Sequence, residues 1–126
     1  MTGASAPTDL KREISGYAAR ADRFDVLDLP PRTYLAVDGH GDPNTAPAWA
    51  DALAALYPVA YALKHLGRRE LGRDHVVMPL EALWWSADMA TFTSARDKST
   101  WDWRAMILTP AWVTPEHVAT ATAAVR

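Results

Sequence analysis

The stretch VVMPLEALWW, residues 76–85, limits the fold more than any other part of the chain. Side chains alternate across a β-strand. Val77, Pro79, Glu81, Leu83 and Trp85 therefore share one face, and Val76, Met78, Leu80, Ala82 and Trp84 share the other. Both faces are apolar apart from one carboxylate, Glu81. A strand of a sheet covered on one side only normally turns polar residues to water. This strand therefore calls for something on its second face, either a bound ligand or another protein layer.

The rest of the chain supplies a layer for the first face. Residues 1–9 read as a loose tail, followed by a short helix from about Leu10 that Gly16 weakens. Residues 24–29, FDVLDL, and 33–38, TYLAVD, predict two strands separated by Pro30-Pro31, which forces extended backbone before it. The turn cluster GHGDPNTAP comes next. Asn44 or Thr45 is the candidate N-cap and Pro47 suits a first helical turn. A helix then spans about 48–66. Trp49, Leu53, Leu56, Ala60 and Leu63 form its apolar stripe, and Tyr57, Tyr61 and Lys64 lie beside it. Pro58 predicts a bend, and Gly67 the end of the helix. A third strand runs from about His75 to Leu83 or beyond, and a fourth from Trp101 to Leu108. A final helix is capped by Thr114, with Pro115 in its first position and Glu116 in its first turn. The order β-β-α-β-β-α predicts an α+β fold with helices on one face of an antiparallel sheet. At 126 residues the chain holds one core. Its division is a tail with a short helix over 1–22 and one module over 23–126.

Composition removes several function classes. Apolar residues make up 49% and charged residues 22%, a globular balance and not a disordered one. The net charge of −2 argues against a nucleic-acid binder, which carries a basic face. Without cysteine there is no disulfide, zinc–thiolate site or thiol nucleophile. The N-terminus lacks the apolar core of a signal peptide, and no segment is apolar for long enough to span a bilayer. A cytoplasmic location is the expectation. His40 and Asp42 in GHGD gain no third ligand at metal spacing, so a metal is not expected, and no cofactor is implied. His65, His75 and His117 read as surface or hydrogen-bonded core residues. There is no phosphate loop and no G-x-S-x-G elbow.

What remains is an acid among aromatic residues. Six tryptophans in 126 residues are several times ordinary usage, which points either to unusual core packing or to an aromatic binding wall. Trp49 reads as core from its place in the helical stripe. Trp84, Trp85, Trp101 and Trp103 stay open between core and binding wall, because a bulge can shift strand phase. Glu81 in such a wall would have its pKa raised by desolvation. It could anchor a cationic or hydrogen-bonding ligand, or act as a general acid or base. Indole faces can hold flat aromatic or cationic ligands. The alternative for Glu81 is a solvated strand end or an ion pair with Arg104. Tyr57 and Tyr61, four residues apart on the helix, could form a rim, or simply pack.

Four stretches taken together, YLAVDGHGDPNTAP, ALYPVAYALKH, HVVMPLEALWW and TWDWRAMILTP, resemble the GyrI-like small-molecule-binding proteins, over nearly all of residues 24–125. The resemblance implies strand-helix-strand-strand modules, usually two in tandem about a pseudo-twofold, with an aromatic, acid-bearing cleft between them. This chain resembles the first module. A second module, or a second copy in a homodimer, would have to complete the cleft. The family includes effector domains of multidrug-responsive regulators, DNA gyrase inhibitors, and hydrolases that open the cyclopropane ring of DNA-alkylating compounds. The expected function is binding of hydrophobic, aromatic or cationic small molecules, in the service of protection from toxic compounds. Trp84, Trp85, Trp101, Trp103, Tyr57 and Tyr61 are the candidate ligand contacts, and Glu81 the candidate catalytic residue. The alternatives are a hydrolase of cyclopropanoid electrophiles and a gyrase-inhibitor type of protein-interaction module.

Overall fold

The structure is a computed structural model that describes residues 7–13 and 16–125. Three strands form one antiparallel sheet, with β3 (Asp102–Leu108) between β1 (Tyr34–His40) and β2 (Leu80–Trp85). A single-turn helix α1 (Leu10–Glu13) precedes the sheet. A long helix α2 (Pro47–Glu70) joins β1 to β2, two 3-10 turns (Met89–Phe92 and Lys98–Thr100) join β2 to β3, and α3 (Pro115–Ala124) follows. The fold is α+β, a strand-helix-strand-strand module.

Helix α2 lies on the sheet because its stripe is apolar. Ala52, Leu56, Ala60, Leu63 and Leu66 are buried on it, and Trp49 and Leu53 pack at the margin. Ala52, Leu56, Ala60 and Leu63 share one core cluster with Leu35 of β1 and Trp103, Ala105 and Ile107 of β3. Helix α3 packs along α2 through Ala121. It begins with the expected cap: Thr114 accepts from the His117 N–H, while the His117 ring accepts from the Thr114 N–H. One close approach in the sheet demands glycine. Gly39 faces Trp103 across the β1–β3 ladder. A Cβ on Gly39 would stand 2.2 Å from the Trp103 ring, inside any allowed contact.

Several expectations need correction. Residues 24–29 form no strand. They are exposed and pair with no described strand, so period-two apolarity here is not matched by a ladder partner. The third strand starts at Leu80 and not near His75, since Pro79 has no N–H to give to the ladder. Before it, among the described residues, only His75 makes a bridge, to Thr8. The N-cap of α2 is Ala46, without a side-chain bond. Asn44 and Thr45 instead belong to a turn that closes on Asp42. Gly67 does not end α2. It lies inside the helix against Trp112, where a Cβ would be 2.9 Å from the indole. The chain reverses after Leu71, at Gly72, whose φ of 63° suits a residue without a Cβ. Pro58 does not interrupt α2. It is exposed, as is Ala54, whose carbonyl loses its helical donor, so water can reach that carbonyl. His75 is buried and its Nδ1 has no hydrogen-bond partner, contrary to the expectation of a surface or satisfied ring.

Candidate functional site

Strand register sorts the tryptophans into two groups. Trp84 stands opposite Trp103, and Trp85 opposite Asp102. The face that carries Trp84, Trp103, Ala105 and Ile107 is the one covered by α2. Trp103 is 1% exposed. Its ring meets Trp49 edge-on at 4.9 Å, and Trp49 packs on Trp84 at 5.0 Å. Trp101 extends this cluster. It stacks on Phe92 at 4.5 Å, touches Trp84 at 5.9 Å and donates its indole N–H to the Thr91 carbonyl. Trp103 is therefore a core side chain and no part of a wall beside Glu81, and Trp84 and Trp101 pack with it. Tyr57 and Tyr61 sit on α2, on the covered side of the sheet. Tyr57 packs on the core, and Tyr61 borders a 280 Å³ groove between α2 and α3. They form no rim over Glu81.

The opposite face is open within this chain. Glu81, Leu83 and Trp85 of β2 lie on it beside Met106, Arg104 and Asp102 of β3, and then Ala36, Asp38 and His40 of β1. Leu83 is 51% exposed and Trp85 40%. The charges of β1 and β3 pair across the ladder. Arg104 donates to both oxygens of Asp38, at 2.6 and 3.0 Å, and the His40 Nδ1 lies 2.7 Å from Asp102. Arg104 is thus held by Asp38 and does not meet Glu81 as an ion partner.

Glu81 has a different neighbour. Tyr17, from the N-terminal segment, donates its phenol to the Glu81 carboxylate at 2.5 Å. Two contacts hold Tyr17 in place. Gly16 turns the chain with a φ of 106°, against Leu29, and the Arg32 guanidinium carbon sits 5.7 Å from the Tyr17 ring centre. Burial raises the Tyr17 pKa well above its ordinary value, and the hydrogen bond and charge of Glu81 raise it further. The phenol therefore stays protonated, and remains a donor, at any physiological pH. An acid–phenol pair on an otherwise apolar strand face that also carries an exposed indole can hold a water and move a proton.

The raised Tyr17 pKa links stability to pH. The unfolded phenol ionises near pH 10, the folded one only above that. Between those two values the unfolded chain binds fewer protons, so stability falls as pH rises past about 10. Denaturant melts at pH 8 to 11 should show this fall in the wild type and a shallower one in Tyr17→Phe. Equal slopes would show that the Tyr17 phenol is neither buried nor held by Glu81 in solution.

The sequence singled out Glu81 and its face but missed Tyr17. The two residues are 64 positions apart, and Tyr17 lies in a segment read as tail and weak helix. No local pattern marks it. Only the fold of the N-terminal segment over the sheet brings it in.

Among solved structures, three proteins of Listeria innocua have this fold. One is described as an uncharacterized conserved protein, with 30% identity and a TM-score of 0.82 over 94% of this chain and 58% of its own. Two are described as hydrolases. One has 30% identity and a TM-score of 0.79 over 96% of this chain and 59% of its own. The other has 29% identity and a TM-score of 0.77 over 94% of this chain and 57% of its own. This chain thus spans less than two thirds of each of these neighbours. No family model matches the chain. No curated protein matches it.

Proposed function

We propose that the open sheet face binds a flat, hydrophobic small molecule against Trp85 and Leu83, and that the Glu81–Tyr17 pair hydrolyses it. The observation that carries this reading is the hydrogen bond from the Tyr17 phenol to Glu81 on that face. Two of the structural neighbours are described as hydrolases, which favours turnover over binding alone. The GyrI-like resemblance names a substrate class, cyclopropane-bearing alkylating compounds, and a purpose, protection from a toxic compound.

Glu81 is the base. It takes a proton from a water, and the water oxygen attacks a ring carbon. The strained C–C bond breaks, and its electron pair moves to the electron-withdrawing group conjugated with the ring, which takes up a proton. Tyr17 holds the Glu81 carboxylate in line through its hydrogen bond, and the proton that Glu81 took from the water is the one delivered to that group, so that the net change is addition of one water. Leu83 and Trp85 provide an apolar surface that keeps bulk water off the electrophile. No metal or cofactor enters this scheme.

The protein should be mixed with a tenfold excess of a cyclopropane-bearing alkylator, and the compound followed by mass. Hydrolysis of several equivalents, each product heavier by one water, is the expected outcome. Recovery of intact compound would rule out turnover of this class. Loss of one equivalent and no more would leave a binding protein.

A further inference from the structure

The segment between Tyr17 and β1 has no role in the fold described so far. Residues 18–31 are exposed throughout. Phe24 and Val26 are as exposed as in an extended chain, at 106% and 103%, and Leu27 and Leu29 are half exposed. Scattered exposed apolar residues need no explanation, but four within six positions do. The segment is also anchored at both ends, by Gly16 against Leu29 and by Arg32 over Tyr17. It therefore projects as a closed arm. Compact surface loops of this size are normally filled by their own side chains. This one instead surrounds a hollow of about 530 Å³ bordered by Ala18, Ala19, Phe24 and Leu27.

We infer that this arm is a docking element and that its occupant is a second copy of this chain, bound about a twofold axis. Three observations choose that occupant. First, the arm is self-complementary in charge. Arg20 and Arg23 lie in the same stretch as Asp22, Asp25 and Asp28, and within one chain they make only weak local pairs, with separations of 3.7 and 3.2 Å. Two arms laid antiparallel put the basic end of each beside the acidic end of the other, as an isologous contact requires. Second, the arm offers both a knob and a hole. Phe24 projects, and the hollow beside it is of a size to take the partner's apolar side chains. Third, the arm is anchored through Tyr17 next to Glu81, at the edge of the open face.

The alternation in FDVLDL follows from the same contact. Residues 24–29 have the pattern of a half-buried strand but are not buried in the single chain. In the pair they line the interface, with Phe24 and Val26 turned to the partner and the aspartates at the edge, where water and the partner's arginines reach them.

Sedimentation of the full chain over a range of concentrations tests this. The wild type should sediment as a dimer at high micromolar concentration and dissociate on dilution. The Phe24→Asp, Val26→Asp double variant should dimerise about a hundredfold more weakly, because apolar anchors carry most of an interface's affinity. Neither side chain touches the core, so thermal melts of the dilute monomers should coincide, which separates a lost interface from a lost fold. A wild type that stays monomeric at every concentration would overturn the inference, as would a folded double variant that dimerises equally well. Neither outcome bears on the Glu81 reading, which is tested by turnover.

Discussion

Glu81→Gln is expected to lower the hydrolysis of a cyclopropane-bearing alkylator by about 10²- to 10⁴-fold, the usual contribution of a positioned acid or base. The change is close to isosteric. A glutamine carbonyl still accepts from the Tyr17 phenol, so the segment that carries Tyr17 keeps its anchor while the base is lost. Binding should survive, because Leu83 and Trp85 are untouched. Single-turnover kinetics, with compound bound before product appears, separate the two effects. A large fall in the chemical rate with unchanged affinity is the signature of a lost base. A variant with unimpaired rate would remove Glu81 from the mechanism and leave the open face as a binding surface only.

Trp103→Ala is expected to destabilise the module by about 3–5 kcal/mol, the range for removing a large aromatic side chain from a core. Trp103 is almost fully buried and contacts Trp49 edge-on, and its ring occupies the space that Gly39 leaves above β1. The surroundings cannot collapse easily into the gap, because Gly39 has no side chain to offer and Trp49, carried on α2, is packed against Trp84. Small domains have a total stability of about 5–15 kcal/mol, so the variant should be marginal at best. Urea unfolding followed by far-UV circular dichroism measures this directly. A loss below about 1 kcal/mol would mean that the indole is not packed as the structure has it.

Local patterns were legible in the sequence and long-range ones were not. The α2 stripe from Trp49 to Leu63, the Thr114 cap and the fourth strand all depend on residues a few positions apart, and all lie where the periodicity puts them. Glu81, Leu83 and Trp85 share a face because alternation within one strand settles it. Which face of β3 they join depends on register, and that is set by the β2–β3 ladder. The sequence therefore could not tell Trp85, on the open face, from Trp103, in the core. The expected strand at 24–29 has apolar residues at strand-like spacing, with a change of phase at Leu27, but spacing does not supply a neighbour. Gly67 and Gly72 both fit a helix stop, and the choice falls to Gly72 because Trp112 occupies the space a side chain on residue 67 would need. Tyr17 is the hardest case, since its meaning comes entirely from a contact 64 positions away.

The central claim is that Tyr17 and Glu81 act as one unit on a bound electrophile. A double-mutant cycle in the hydrolysis rate, with Tyr17→Phe, Glu81→Gln and the two combined, measures that coupling. If the phenol works through the carboxylate, Tyr17→Phe slows the wild type but adds little further loss once Glu81 is glutamine. If the two losses multiply, the residues act independently, and the hydrogen bond between them is not the reactive centre.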